Sequence, residues 1–190
     1  NSGFNRTGAE PVLGAKLGYL KAVLAQYGVE GKFFMNTETA LLCGQDGQEA
    51  ACQTEAFARA KNAYVVQSAA AAVAGGLRAN IWYSLTGWRG SGLTDLALEP
   101  LEAYGVYRFS AAQFNGAAFT GEQTSFPGVK IYQFRRGAVD FWVLWSFDTE
   151  THVVDLGATP NEVYDMYGNA LEPQAVLTVD FTPTYVIRKR

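Results

Sequence analysis

Histidine is almost missing: His152 is the single one in 190 residues. A Ser–His–Asp or Cys–His system needs a histidine beside its nucleophile, and this one stands deep in the C-terminal part. Serine and cysteine hydrolase chemistry therefore has little support. Cysteine is scarce too, with only Cys43 and Cys52. With His152 so distant in sequence, no ligand set for a metal assembles around them, and neither a metal nor a cofactor is expected. A basic excess is also lacking. Against 18 Asp and Glu there are 15 Lys and Arg, a net charge of -3. The basic clusters Arg135–Arg136 and Arg188–Lys189–Arg190 are too short to follow a phosphate backbone. Neither nucleic acid nor an anionic membrane is expected as a partner. No apolar run approaches the roughly 20 residues of a membrane-spanning helix, and the Ala-rich stretch 69–76 is short. A Gly-rich phosphate loop is absent as well.

What the chain does have is aromatic surface: 4 Trp, 10 Tyr and 12 Phe, together 14% of residues. Flat aromatic faces suit the C–H faces of sugar rings, although β-sandwich cores use aromatics as well. Apolar residues at 48% and charged residues at 17% fit an ordered globular protein. The opening Asn1-Ser2-Gly3-Phe4-Asn5 reads as the middle of a loop, so a fragment of a longer protein is expected. Asn5-Arg6-Thr7 matches a glycosylation sequon, a pattern common by chance. Cys43 and Cys52 flank a polar, loop-like segment. They either close that loop as a disulfide or stand as two free buried thiols, and the disulfide is the favoured reading.

The first part alternates helices and strands. Leu13, Leu17, Leu20 and Leu24 recur at helical spacing with Val23 and Tyr27, between Pro11 in the first turn and Gly28 as the cap. Phe33 to Glu38 is an apolar run ending in polar residues, as in a parallel strand buried on both faces. A second helix is read from about Thr54 to Val73, stopped by Gly75–Gly76, then a strand over 79–85 and a helix from about Leu101 to Phe114. From about 117 the pattern changes to short alternating runs: 129–134, 138–146, 151–156, 162–165, 175–181 and 184–187. These read as an antiparallel β-sandwich in which Trp142 and Trp145 take core positions. The fold class is thus α/β plus all-β, divided at 1–116 and 117–190. Two parallel strands alone make a poor sheet, which again argues for missing partners.

In barrels of parallel strands, functional side chains sit at the C-terminal strand ends. One end presents Asn36-Thr37-Glu38 and the next presents Trp82-Tyr83-Ser84, followed by Trp88. Spacing alone leaves Glu38 open between a structural ion pair and a catalytic carboxylate, and Trp82 open between a core residue and a sugar platform. Asp95 reads as a capping residue, Asp165–Asn169 as a turn, and His152 as a surface residue.

The run Phe34-Met35-Asn36-Thr37-Glu38-Thr39-Ala40-Leu41-Leu42-Cys43 resembles the seventh strand of clan A glycoside hydrolases, the family 39-like and family 5-like (β/α)8 barrels. Ala79-Asn80-Ile81-Trp82-Tyr83-Ser84-Leu85-Thr86-Gly87-Trp88-Arg89 resembles the eighth strand and its loop, and Leu98–Tyr104 resembles the start of the eighth helix. Phe141–Ser146, Val163–Gly168 and Pro183–Val186 resemble the sandwich that follows such barrels. The resemblance implies the last two strands and helices of a partial (β/α)8 barrel, followed by a small antiparallel β-sandwich. It implies Glu38 as the nucleophile of a retaining glycosidase and Trp82 in the subsite beside the cleaved bond. Asn36, Tyr83 and Trp88 are further candidates for substrate binding. The clan's acid/base glutamate has no counterpart here: Glu10, Glu30, Glu49 and Glu55 do not end strand-like runs.

The expectation is a retaining glycoside hydrolase of a poly- or oligosaccharide, secreted with its signal segment outside this chain. By itself the chain is expected to be inactive. Its partners would be the carbohydrate and either the missing N-terminal barrel half or a second copy at the open edge. The rival expectation is a non-catalytic carbohydrate-binding or structural protein on a degenerate barrel, which needs no acid/base residue.

Overall fold

A computed structural model of the chain describes residues 12–148 and 150–189. Pro11, the Asn5–Thr7 sequon, Glu10 and Arg190 lie outside the described residues. The first helix, α1, spans Val12–Gln26. It stops where Gly28 takes φ 64°, a left-handed conformation that costs glycine nothing. The amides of Gly28 and Val29 then cap the carbonyls of Ala25 and Leu24, at 3.0 and 2.9 Å. Only part of the Leu stripe is covered. Leu17 is buried, whereas Leu20 and Tyr27 are 49% and 80% exposed. Leu17 meets Gly75, whose missing side chain leaves the room: a Cβ there would lie 2.6 Å from the Leu17 methyl.

Strand β1, Met35–Thr39, pairs in parallel with β2, Ala79–Trp82. Between them runs α2, Glu55–Ala74, started by Thr54, whose hydroxyl accepts from the Phe57 amide. Buried residues spread over much of this helix, from Lys61 to Ala72. Such a helix has neighbours on more than one side. The third helix, α3, spans Glu102–Phe114. Expectation and structure part company on β1: Phe33 and Met35 are 66% and 43% exposed. Among the described residues, helices cover one face of the β1–β2 pair and leave the other open, so the strand is not buried on both faces.

The rest is antiparallel. Strands β3 (Ala118–Gln123), β4 (Val129–Arg136), β5 (Val139–Ser146), β6 (His152–Asp155), β7 (Glu162–Tyr164), β8 (Ala170–Leu171), β9 (Val176–Val179) and β10 (Thr184–Lys189) follow in sequence. They form a six-stranded sheet, β3-β4-β5-β10-β7-β8, and a separate β6–β9 pair. Strand β3 has no counterpart among the expected strands, because its residues are mostly exposed and carry no apolar alternation.

Strand alternation sends the central strands' side chains two ways. Tyr132, Phe134, Phe141, Val143, Trp145, Tyr185 and Ile187 pack with Val65, Val66 and Ala70 of α2 and Val106 and Phe114 of α3. Val129, Ile131, Leu144 and Val186 pack on the other side with Val154 and Val179 of the β6–β9 pair. Trp145 and Trp142, three residues apart, therefore serve opposite faces: Trp145 is 1% exposed among the helices, and Trp142 is half-buried with the Arg188 guanidinium 4.4 Å from its ring. One apolar core thus runs from the helices into the large sheet. Phe134 and Phe141 stack within it at 5.2 Å, and Phe114 of α3 meets Phe134 edge-on at 5.1 Å. Ser110 and Tyr185 share a buried hydrogen bond of 2.9 Å. Burial pushes the Tyr185 phenol well above its ordinary range.

At the β5–β6 turn, His152 is half-buried rather than a free surface residue. Its Nε2 lies 2.9 Å from Asp148 Oδ1. Gly128 makes room for the pair, since a Cβ on it would fall 2.3 Å from the imidazole. The His152 hydrogen bond, helped by the Ser146 hydroxyl and the Glu150 amide, holds the Asp148 carboxyl down at about 2, against an ordinary 3.8.

Two outcomes follow from this packing. Phe141→Ala empties a fully buried site where helices and sheet meet. It should lower the unfolding free energy by about 3–5 kcal/mol in a urea titration, with helical and tryptophan signals melting together. Asp148 has a depressed folded-state pKa, so its contribution is complete above the unfolded value and is lost as pH falls toward about 2. The melting-temperature gap between the parent and Asp148→Asn should be widest near neutral pH and close on acidification through that window.

Candidate functional site

The C-terminal ends of β1 and β2 lie side by side. Asn36 is paired with Asn80 and Thr39 with Trp82. The Tyr83 amide extends the ladder by donating to the Thr39 carbonyl at 2.8 Å. Asn36, Thr39, Asn80 and Trp82 turn toward the helices. Asn36 Nδ2 donates to Asn80 Oδ1 at 3.0 Å, and Asn80 Nδ2 lies 3.5 Å from Ser68 Oγ on α2. The Trp82 ring sits 6.1 Å from Tyr64 of α2, and its Nε1 donates to the Ser91 carbonyl at 2.8 Å. Burial pushes the Tyr64 phenol up to about 12. A cavity of about 200 Å³ opens behind β2, lined by Trp82, Asn80, Ser68, Val73, Tyr107 and Phe114.

The opposite face is open. Thr37 and Glu38 are exposed there, with Ile81 and Tyr83 at 46% and 43%. Glu38 forms no hydrogen bond or ion pair with any described residue. Asn36 and Trp82 are half-buried with contacts toward α2, whereas Glu38 is exposed. Period-two alternation on β2 puts Trp82 and Tyr83 on opposite sides, and an irregularity in β1 turns Asn36 to the helices.

The loop after β2 carries Trp88, 54% exposed, with the Arg89 guanidinium 5.2 Å from its ring. Several contacts fix this loop. Ser91 Oγ accepts from the Trp88 amide at 3.1 Å and donates to the Tyr83 carbonyl at 3.0 Å. The Tyr83–Ser84 peptide is cis. Lys61 of α2, only 7% exposed, donates to the carbonyls of Gly90 at 3.0 Å and Gly92 at 2.9 Å. Burial pushes its ammonium down from 10.5. Two carbonyl oxygens make such a buried cation tolerable. Nothing in the sequence marks Lys61, because its partners are backbone atoms of a distant loop.

A second loop braces the first. Cys43 and Cys52 form a disulfide, with Cα atoms 5.5 Å apart. Glu49 organises the bridged segment: its carboxylate accepts from the amides of Gln45 and, at 3.0 Å, Gly47, and these hold its carboxyl below the ordinary value. That engagement leaves Glu49 poorly suited to donate a proton in catalysis. The Cys43 amide donates to the Arg89 carbonyl at 2.9 Å. Gly47 packs so closely on Arg89 that a Cβ would come within 2.6 Å of its Cα. The disulfide loop and the Trp88 loop thus form one rim. Asp95 and Asp165 sit outside it as turn residues, each carboxylate accepting two nearby backbone amides, of Ala97 and Glu99 and of Tyr167 and Asn169.

Chemically, the two strand ends and the loop after β2 offer an exposed carboxylate bonded to no described residue, an exposed tyrosine and an exposed indole. Among the described residues no group of His, Cys, Asp and Glu could hold a metal ion, and no helix is long and apolar enough to cross a membrane.

The sequence matches no family model and no curated protein. Solved structures match it by shape. A family 39 glycoside hydrolase from the gut symbiont Bacteroides cellulosilyticus WH2 is similar with a TM-score of 0.68 at 14% identity, over 92% of this chain and 38% of that one. A conserved exported protein from Bacteroides fragilis also gives 0.68, at 13% identity, over 98% of this chain and 44% of that one. A GH30 endoxylanase from Clostridium papyrosolvens C71 gives 0.58 at 13% identity, over 89% and 45%. The chain spans less than half the length of each. At these identities the likeness is one of fold alone: this chain has the fold of a part of each of those structures.

The two-loop rim has a measurable consequence. Replacing both Cys43 and Cys52 with Ser should cost about 2–3 kcal/mol in a urea titration. Amide exchange should accelerate over 86–92 as well as over 44–51, because the two loops are bonded to each other.

Proposed function

We propose that the chain is the C-terminal portion of a retaining glycoside hydrolase acting on a poly- or oligosaccharide. In this reading residues 1–116 supply the last two strands and helices of a (β/α)8 barrel, and residues 117–190 supply the β-sandwich packed on it. The observation that carries the reading is Glu38, exposed near the C-terminal end of a parallel strand with its carboxylate bonded to no described residue, and Tyr83, exposed at the end of the neighbouring strand. Functional groups of parallel barrels gather at that end.

Glu38 would attack the anomeric carbon and form a glycosyl-enzyme, and water would then release the sugar. Retention needs a second carboxyl about 5–5.5 Å away to protonate the leaving oxygen and later activate that water. It would come from the part of the barrel outside this chain. Tyr83 and Trp88 present the surfaces a sugar would meet, while Trp82 and Asn36 support the strand ends from behind. The disulfide suits an oxidising compartment, and the similar Bacteroides fragilis protein is described as exported, so an extracellular setting is part of the proposal.

The rival is a non-catalytic carbohydrate-binding protein, for which the exposed Trp88 would serve equally well. Glu38→Gln separates the two in the longer enzyme. It should cut turnover by about a thousandfold or more while leaving oligosaccharide affinity within about threefold. Normal turnover in that variant removes Glu38 as the nucleophile.

A further inference from the structure

The ladder between β1 and β2 skips. From the pair Asn36–Asn80 to the pair Thr39–Trp82, β1 advances by three residues and β2 by two. The extra residue is a β-bulge, a feature rare between parallel strands and one that re-aims the side chains it carries. In a regular strand, alternation from Asn36 would put Thr37 on the open face and Glu38 against the helices. With the bulge, Asn36 and Thr39 both face the helices, and Thr37 and Glu38 both stand exposed.

A side-chain clamp closes over the bulge from behind. Asn36 Nδ2 donates to Thr39 Oγ1, bridging the two residues that bracket it. Asn80 Oδ1 accepts from Thr39 Oγ1 and, at 3.0 Å, from Asn36 Nδ2, so one carbonyl on β2 holds both sides of the irregularity. Asn80 Nδ2 lies 3.5 Å from Ser68 Oγ, which ties the clamp to α2. Thr39 and Ser68 are 2% and 3% exposed, so water does not replace a lost partner freely.

We propose that Asn80 is a positioning residue for Glu38, acting through Thr39 and Asn36 to hold the bulge that turns the carboxylate onto the open face. The proposal rests on the reading of Glu38 as a nucleophile. Asn80 touches no substrate. Its loss would misdirect the carboxylate, lowering kcat, and would leave the sugar surfaces of Tyr83 and Trp88, and hence KM, nearly unchanged.

The direction of residue 38 can be read in this chain without any activity. The two native cysteines are joined, so an introduced thiol is the only one a disulfide reagent can titrate. Glu38→Cys and Thr37→Cys would be made separately, each alone and combined with Asn80→Leu or Asn80→Asp. Both thiols should react readily in the otherwise native chain. Asn80→Leu, which removes the acceptor, should slow Glu38→Cys by about tenfold and leave Thr37→Cys within about twofold, since reactivity follows exposure. Asn80→Asp keeps the acceptor oxygen and should restore the native ratio. An unchanged ratio in Asn80→Leu, or a rise of both rates together, overturns the proposal, because simple loosening exposes both positions. If Asn80→Leu shows no cooperative melt, Thr39→Val removes the bracketing hydroxyl without changing side-chain shape and is judged by the same ratio. These rates stand apart from catalysis. Retained turnover in Glu38→Gln would sink the nucleophile reading and leave the thiol ratio intact. An unchanged thiol ratio would remove the role of Asn80 and leave that reading standing.

Discussion

Helix α2 is held on one side by the large antiparallel sheet, and everything at the strand ends is hung from it. Phe134, Phe141, Trp145 and Tyr185 are essentially inaccessible to water where the sheet meets α2 and α3. Each buried side chain of that size contributes about 1.5–3 kcal/mol. The same helix carries Ser68 to the back of β2 and Lys61 to the loop beyond it. Two parallel strands with one open face have little means of fixing their own tips. Here the tips borrow rigidity from a core they do not belong to.

Two kinds of support meet at the rim. One is electrostatic and buried: the Lys61 ammonium on the carbonyls of Gly90 and Gly92. The other is covalent and peripheral: the Cys43–Cys52 bridge, with Glu49 ordering the enclosed backbone. Both act on the backbone of the Trp88 loop and leave the indole itself exposed. A rigid frame under this exposed ring means that little conformational entropy would be lost on a contact made with it.

Much of the fold was legible in the sequence because the signals were local. Gly28 and Gly76 take the left-handed backbone where α1 and α2 end, Thr54 caps α2 with its own hydroxyl, and the alternation of β5 assigns Phe141, Val143 and Trp145 to one face. The spacing of Cys43 and Cys52 around a polar loop was enough to favour their bridge. Position, however, was more legible than direction. Glu38 was placed at a strand end, but nothing adjacent to it announces the bulge that exposes it. That depends on Asn80, forty-four residues from Asn36. Tryptophan is equally at home in a core and on a sugar platform, so the residue type at position 82 does not give its direction. Only the register with β1 decides which way it turns. Strand β3 leaves no mark in the sequence because an edge strand in solvent needs no apolar period.

The bridge between Cys43 and Cys52 has one more consequence. The residues it spans form a covalent ring, and that ring lies between β1 and α2 in the chain. A single backbone cut anywhere in 44–51 would open the ring but leave one molecule, its two pieces still joined through sulfur at the rim. The segment carrying Glu38 and the segment carrying Trp88 would then travel together on a gel until a reductant separated them. While the bridge stays oxidised, the loop is a place where the polypeptide can be severed without the protein coming apart.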